Sequence, residues 1–112
     1  MAKQTRKITL LINDKEETFF SKFSPAKNIF KAQKLFSKLE KEPENEIEII
    51  EEILDFIAKD VYNSEFTKDD VLNGIDSADF MEELQNQLML VMTRDVDGLK
   101  KQALQAQQKT KN

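Results

Sequence analysis

Residues 65–92 read EFTKDDVLNGIDSADFMEELQNQLMLVM and spell out two helix starts in succession. Thr67 is placed to cap the first, Asp70 three residues on completes a capping box, and Phe66 and Val71 are spaced to staple across the start. Gly74 is placed to stop that helix, because a left-handed residue after a helix is cheapest as glycine. The second start repeats the grammar: Asp76 caps, Asp79 follows three residues later, and Ile75 pairs with Phe80. From there Phe80, Met81, Leu84, Leu88, Val91 and Met92 form one apolar stripe at helical spacing, with Met89 and Leu90 partly off it. Two helices are predicted to meet at a glycine corner.

Upstream, Ile47, Ile50, Leu54, Ile57 and Val61 repeat at alternating three- and four-residue steps, and Ile49, Ile53 and Phe56 widen the coverage. This predicts a central, most buried helix, whose outer face carries Glu44, Glu48, Glu51, Glu52 and Asp55. Pro43 ends the helix before it. That earlier helix is expected to start with Ser24 as cap and Pro25 at its first position, with Ile29, Ala32, Phe36 and Leu39 facing inward and Phe30 and Leu35 widening the stripe. Lys27, Lys31, Lys34, Lys38 and Lys41 follow the same rhythm on another face and make one basic ridge, which could meet the acidic ridge of the central helix.

Residues 7–23, KITLLINDKEETFFSKF, read as a β-hairpin. Ile8, Leu10 and Ile12 alternate on one face, Phe19 and Phe23 recur at even spacing, and Asn13-Asp14 is the turn, since both residue types tolerate left-handed backbone. From Thr93 onward the apolar rhythm thins to Val96, Leu99 and Leu104, and a polar helical or disordered tail is expected over 93–112. The fold class is therefore mainly α: an N-terminal hairpin followed by about four helices in a single α-rich domain spanning 1–92.

Composition narrows the chemistry. The 112 residues contain no cysteine and no histidine, which removes thiol nucleophiles, disulfides, the commonest transition-metal ligand and the usual general base near neutral pH. With two glycines in the chain, no glycine-rich loop can cradle a phosphate. A calcium loop starting at Asp60 fails at Tyr62, Glu65 and Val71, and the acidic cluster Asp69, Asp70, Asp76 and Asp79 is largely accounted for by capping. No catalytic residue, cofactor or metal ligand is assigned. No apolar run approaches the length that spans a bilayer, so no membrane partner is expected and a reducing cytoplasm is the default.

Charge is strongly segregated: +6 over residues 1–41, −14 over 42–97 and +4 over 98–112. The basic ridge lacks arginine and adjoins the acidic middle, which argues against nucleic acid. It favours a head-to-tail contact between copies, basic first helix against acidic middle, and hence a homo-oligomer.

In KITLLINDKEETFF and in residues 65–92 the chain resembles the tail assembly chaperones of long-tailed phages, especially those infecting Gram-positive bacteria. Phe66, Thr67, Asp70, Val71, Leu72, Gly74 and Asp76 fill the most specific part of that pattern; Asp14 stands where the family has a turn glycine. The resemblance implies a non-catalytic protein that binds the tape measure protein and helps recruit tail tube subunits, the latter mainly through a longer form made by ribosomal frameshifting. This chain would be the short form, with Lys100 and Lys101 marking a place for slippery codons. It would act in the host cytoplasm and be absent from the mature virion. The alternative is a small regulatory protein acting by protein contacts. Candidate partner-binding residues are Lys27, Lys31, Lys34 and Lys38 on the basic ridge, and Met81, Leu88, Met89, Leu90 and Met92 on the last helix, with Met89 and Leu90 the preferred exposed pair.

Overall fold

Alternation of apolar and polar side chains builds β1 (Lys7–Ile12) and β2 (Lys15–Phe20) in the computed structural model, which describes residues 5–21 and 23–93. The strands pair antiparallel from Lys7 with Phe20 to Ile12 with Lys15, leaving a two-residue turn. Asn13 and Asp14 have φ of 53° and 65°, the doubly left-handed geometry that matches strand twist. Ile8 and Leu10 are buried and Phe19 packs against the core beside them. Phe23 does not join them: β2 ends at Phe20, and Phe23 is 74% exposed.

α1 spans Lys27–Lys41, so the helix starts later than expected. The Ser24 hydroxyl accepts from the Asn28 side-chain amide at 2.9 Å instead of capping a backbone N–H. Asn28 in turn reaches the carbonyl of Asp60 at 3.4 Å, a tertiary contact that competes with the local cap. The inward face is Asn28, Ala32 and Leu35, flanked by Phe36 and Leu39; Phe30 points away and is 72% exposed.

A 3-10 turn at Pro43–Asn45 leads into α2 (Glu46–Asp55), which widens into a π-helical stretch over Phe56–Val61. Ile49, Ile53, Leu54, Phe56, Ile57, Ala58 and Val61 are all buried, which makes this the central element. Ile49, Ile53 and Phe56 widen the buried face as expected, whereas Ile47 is 77% exposed. Leu54, Ile57 and Val61 of the expected stripe are buried and Ile50 packs against the core, so the stripe holds from Ile50 onward and only Ile47, in the first turn of α2, leaves it.

How that helix ends organises the fold. Asn63 and Ser64 turn left-handed, with φ of 54° and 62°, and the chain leaves the helix axis. Two carbonyls freed at the end are taken by side chains from elsewhere: Val61 by the Ser21 hydroxyl at 2.8 Å, and Asp60 by Asn28. Arg6 donates to Ser21 at 3.3 Å from β1's side of the hairpin. The Tyr62 hydroxyl donates to Gln87 Oε1 at 2.7 Å, and Gln87 Nε2 donates to the Lys7 carbonyl at 2.7 Å and to Glu83 at 2.6 Å. Among the described residues no buried side-chain nitrogen or oxygen lacks a partner.

α3 (Lys68–Gly74) begins with the expected capping box: Asp70 N–H donates to Thr67 Oγ1 at 3.2 Å, and Thr67 N–H to Asp70 Oδ2 at 2.9 Å. Gly74 works differently from the expectation. It is the last helical residue and has no positive φ. A Cβ there would lie 3.0 Å from Leu10 Cβ and 3.1 Å from the Leu11 nitrogen, so the close approach of α3 to β1 favours glycine. Asp76 caps a turn, accepting from Ala78 N–H at 2.9 Å, and α4 starts only at Phe80 and runs to Met92. The expected polar tail, apart from Thr93, lies outside the described residues.

Gly74→Ala is expected to lower stability by about 1 kcal/mol in urea denaturation, because crowding β1's backbone outweighs the ~1 kcal/mol alanine normally brings to a helix. Tyr62 is the only tyrosine, and burial, reinforced by the Glu83 charge, holds its hydroxyl well above the usual range. Below about pH 10 both folded and unfolded chains keep that proton; above it the unfolded chain ionises first, so stability falls as pH rises. Tyrosinate absorbance should therefore appear together with loss of the helical circular dichroism signal, and Tyr62→Phe should flatten stability against pH in that range.

Candidate protein-binding surfaces

The basic ridge stands on the surface as expected. Lys27, Lys31, Lys34 and Lys41 are exposed along α1, and Glu44, Glu48, Glu51 and Glu52 are exposed along the start and outer face of α2. The two ridges meet at one point among the described residues, where Lys38 lies 3.7 Å from Glu52. With the side chains 33% and 48% exposed, such a pair contributes only ~0–1 kcal/mol. Most of both ridges therefore remains available to another molecule.

The last helix departs from the expectation. Leu88 is fully buried and Leu90 is 3% exposed, so neither is presented to a partner. Met89 is half-buried, and Met81 and Met92 pack partly against the core. The single-stripe reading assumed cover on one side of α4. Instead the helix packs along α1 and is also held to the outer edge of β1 through Gln87 and the Lys7 carbonyl, which takes Gln87 and Leu90 out of solvent along with the stripe.

Exposed apolar side chains lie elsewhere: Leu11, Phe20, Phe23, Phe30, Ile47 and Leu72 are each between 47% and 77% exposed. Leu11 and Phe20 share the outer face of the hairpin, since Leu11 pairs with Glu16 and Phe20 with Lys7 in the register. Strict alternation from Ile8, Leu10 and Ile12 would have placed Leu11 outside, a signal that the apolar run ITLLI conceals. An acidic groove lined by Thr9, Leu11, Glu16, Asp76, Asp79 and Glu83 runs between the hairpin and the α3–α4 corner. A second concavity lies at the start of α2, lined by Pro43, Glu44, Asn45, Glu46, Ile47 and Glu48.

Among the described residues no group of three or more acidic side chains is gathered to hold a metal ion, and no helix is long and apolar enough to cross a membrane. The family pattern described as phage tail chaperone protein matches residues 3–108. No curated protein and no solved structure matches the chain.

The burial difference on α4 has a direct readout. Leu88→Ala and Leu90→Ala should each cost about 2–5 kcal/mol in chemical denaturation, whereas Met89→Ala should cost under about 2 kcal/mol. Equal losses at all three positions would contradict the placement of α4.

Proposed function

The chain belongs to the phage tail chaperone family, and from that premise we propose that it binds the tape measure protein, keeping its apolar helices from aggregating before the tail tube polymerises. Binding occurs without turnover. It takes place in the host cytoplasm, and the protein is left out of the finished virion. Tail tube subunits are recruited mainly through a longer form of the same protein, made by frameshifting near the codons for Lys100 and Lys101.

The observation that carries this reading is the exposed aromatic pair Phe20 and Phe23, 52% and 74% exposed, at the end of the hairpin. Phe20 shares its face with Leu11, the two being separated along the sheet by the Thr9–Thr18 pair. An aromatic ring left in water gives up roughly 1.5–3 kcal/mol of burial, which a folded monomer gains nothing by forgoing and a client-binding protein recovers on contact. Met81, Met89 and Met92, half-buried, are adaptable neighbours at the margin of the core.

Coexpression with the long helical tape measure protein tests the proposal. The client should be recovered in the supernatant with this chain and pellet without it, and Phe20→Ser combined with Phe23→Ser should lose that effect while keeping the parent's circular dichroism spectrum. A client that pellets regardless, or copurification of this chain with an unrelated regulatory target instead, would overturn the reading.

A further inference from the structure

A trough runs between the outer face of the hairpin and one face of α4. Asp79, Glu83, Asn86 and Leu90 line it at steps of four, three and four along the helix, and Thr5, Lys7, Thr9 and Leu11 line it at alternate positions along β1 and its approach. The wider end, about 490 Å³, lies at the α3–α4 corner, where Glu16 and Asp76 join Asp79 and Glu83 and no lysine or arginine is among the lining residues. Leu11 and Ile75 give that end its apolar surface. The narrower end, about 230 Å³, lies beside Lys7 and Leu90, near the point where α4 finishes. Thr9 and Glu83 line both ends and join them.

Charge in the following segment of chain runs in the matching order. Thr93 is extended, with φ of −159° and ψ of 150°, so the backbone leaves the helix beside the narrow end. Residues 94–112 lie outside the described residues; their sequence, RDVDGLKKQALQAQQKTKN, places Asp95 and Asp97 first, then Gly98, then four lysines and no further acidic residue. From Leu90 back to Asp79 is eleven residues of helix, roughly 16 Å at 1.5 Å per residue. A chain returning antiparallel to α4 covers that distance in about five extended residues at ~3.3 Å each. Asp95 and Asp97 then pass Lys7, and Leu99, Lys100 and Lys101 arrive at the wide end with its carboxylates and its two apolar side chains.

We propose that residues 94–112 dock in this trough of their own molecule, Lys100 and Lys101 pairing with Glu16, Asp76, Asp79 and Glu83. The contact closes a short loop, so it forms at an effective concentration that a separate peptide lacks. Each ion pair is exposed, weak and screened by salt, so the segment is displaceable. A lysine-bearing stretch of another protein competes for the same trough and has to displace it.

The test uses the full chain and a carbodiimide, which joins a lysine amine to a carboxylate in contact with it. Mixing chains of natural and heavy nitrogen separates links within one molecule from links between two. Lys100 or Lys101 should link to Glu16, Asp79 or Glu83 with both ends of one isotope, and the links should fade at high salt. Labelling with glycine ethyl ester gives a second readout. Glu16 and Asp79, exposed in the folded domain, should react severalfold more slowly than Glu17 and Asp69, which are exposed likewise. Lys100→Gln combined with Lys101→Gln should bring the four rates together with an unchanged circular dichroism spectrum. Equal rates in the wild type, links running mainly to Glu44, Glu48 and Glu51, or links of mixed isotope, the mark of a second copy's segment, would each overturn the proposal. Neither readout involves the tape measure protein, so the two readings stand or fall separately.

Discussion

At the C-terminal end of the central helix Val61 and Tyr62 are buried while Lys59 and Asp60 are exposed, and the polar groups on the inner side must find partners. In this chain Val61 and Asp60 are satisfied by Ser21 and Asn28, and Tyr62 is tied through Gln87 to the Lys7 carbonyl. The base of the hairpin, the start of α1, the end of the central helix and the middle of α4 thus converge on one hydrogen-bonded knot. Leaving any one of these groups unpaired in the interior costs about 1–3 kcal/mol, a large share of the 5–15 kcal/mol by which domains are stable. Apolar burial holds the elements together; the knot decides how they are arranged.

With the helix end spoken for, the hairpin becomes a cover. In the antiparallel register the backbone groups of Lys7, Thr9 and Leu11 face away from β2. The outer edge they form meets Gln87 at Lys7 and the close approach of Gly74 at Leu11. One edge of the sheet is closed by helices, and the outer face is left to Leu11 and Phe20. The placement of apolar side chains in water is therefore a consequence of how the sheet is anchored. Phe19 shows the contrast, since one residue before Phe20 its ring packs against Phe66, centroids 5.0 Å apart and tilted by 54°, on the core side.

What was legible in the sequence is what is local. The Asn13-Asp14 turn and the Thr67–Asp70 capping box involve partners within three residues, and both form as read. What was not legible depends on contacts distant in the chain. Ser24 forgoes its cap because Asn28 reaches across to Asp60, 32 residues away. Gly74 looks like a helix stop until β1 is seen lying against it. Ile47 continues the spacing of the central helix's stripe, yet it lies in the first turn of α2 beyond the reach of the core and is 77% exposed. Of the candidate binding residues the lysine ridge was readable because charge at helical spacing needs no partner to be exposed. Leu88 is buried as its place on the stripe implied, and Leu90 was misplaced because the sequence does not say on how many sides α4 is covered.

The knot also bears on how such a protein can hold an apolar client. Binding through the inner side of α4 would require that helix to leave the core, exposing Leu84, Leu88, Leu90 and Val91, which are between 0% and 7% exposed when folded. At roughly 1.5–3 kcal/mol for each such side chain, the opening costs about 6–12 kcal/mol before the Gln87 hydrogen bonds are counted, comparable with the whole stability of a small domain. A client would have to return that amount before gaining any affinity. Side chains already in water carry no such charge on binding. Contacts on the outside of the hairpin and along α1 and α2 would leave the core and its polar knot intact, at no cost in core burial.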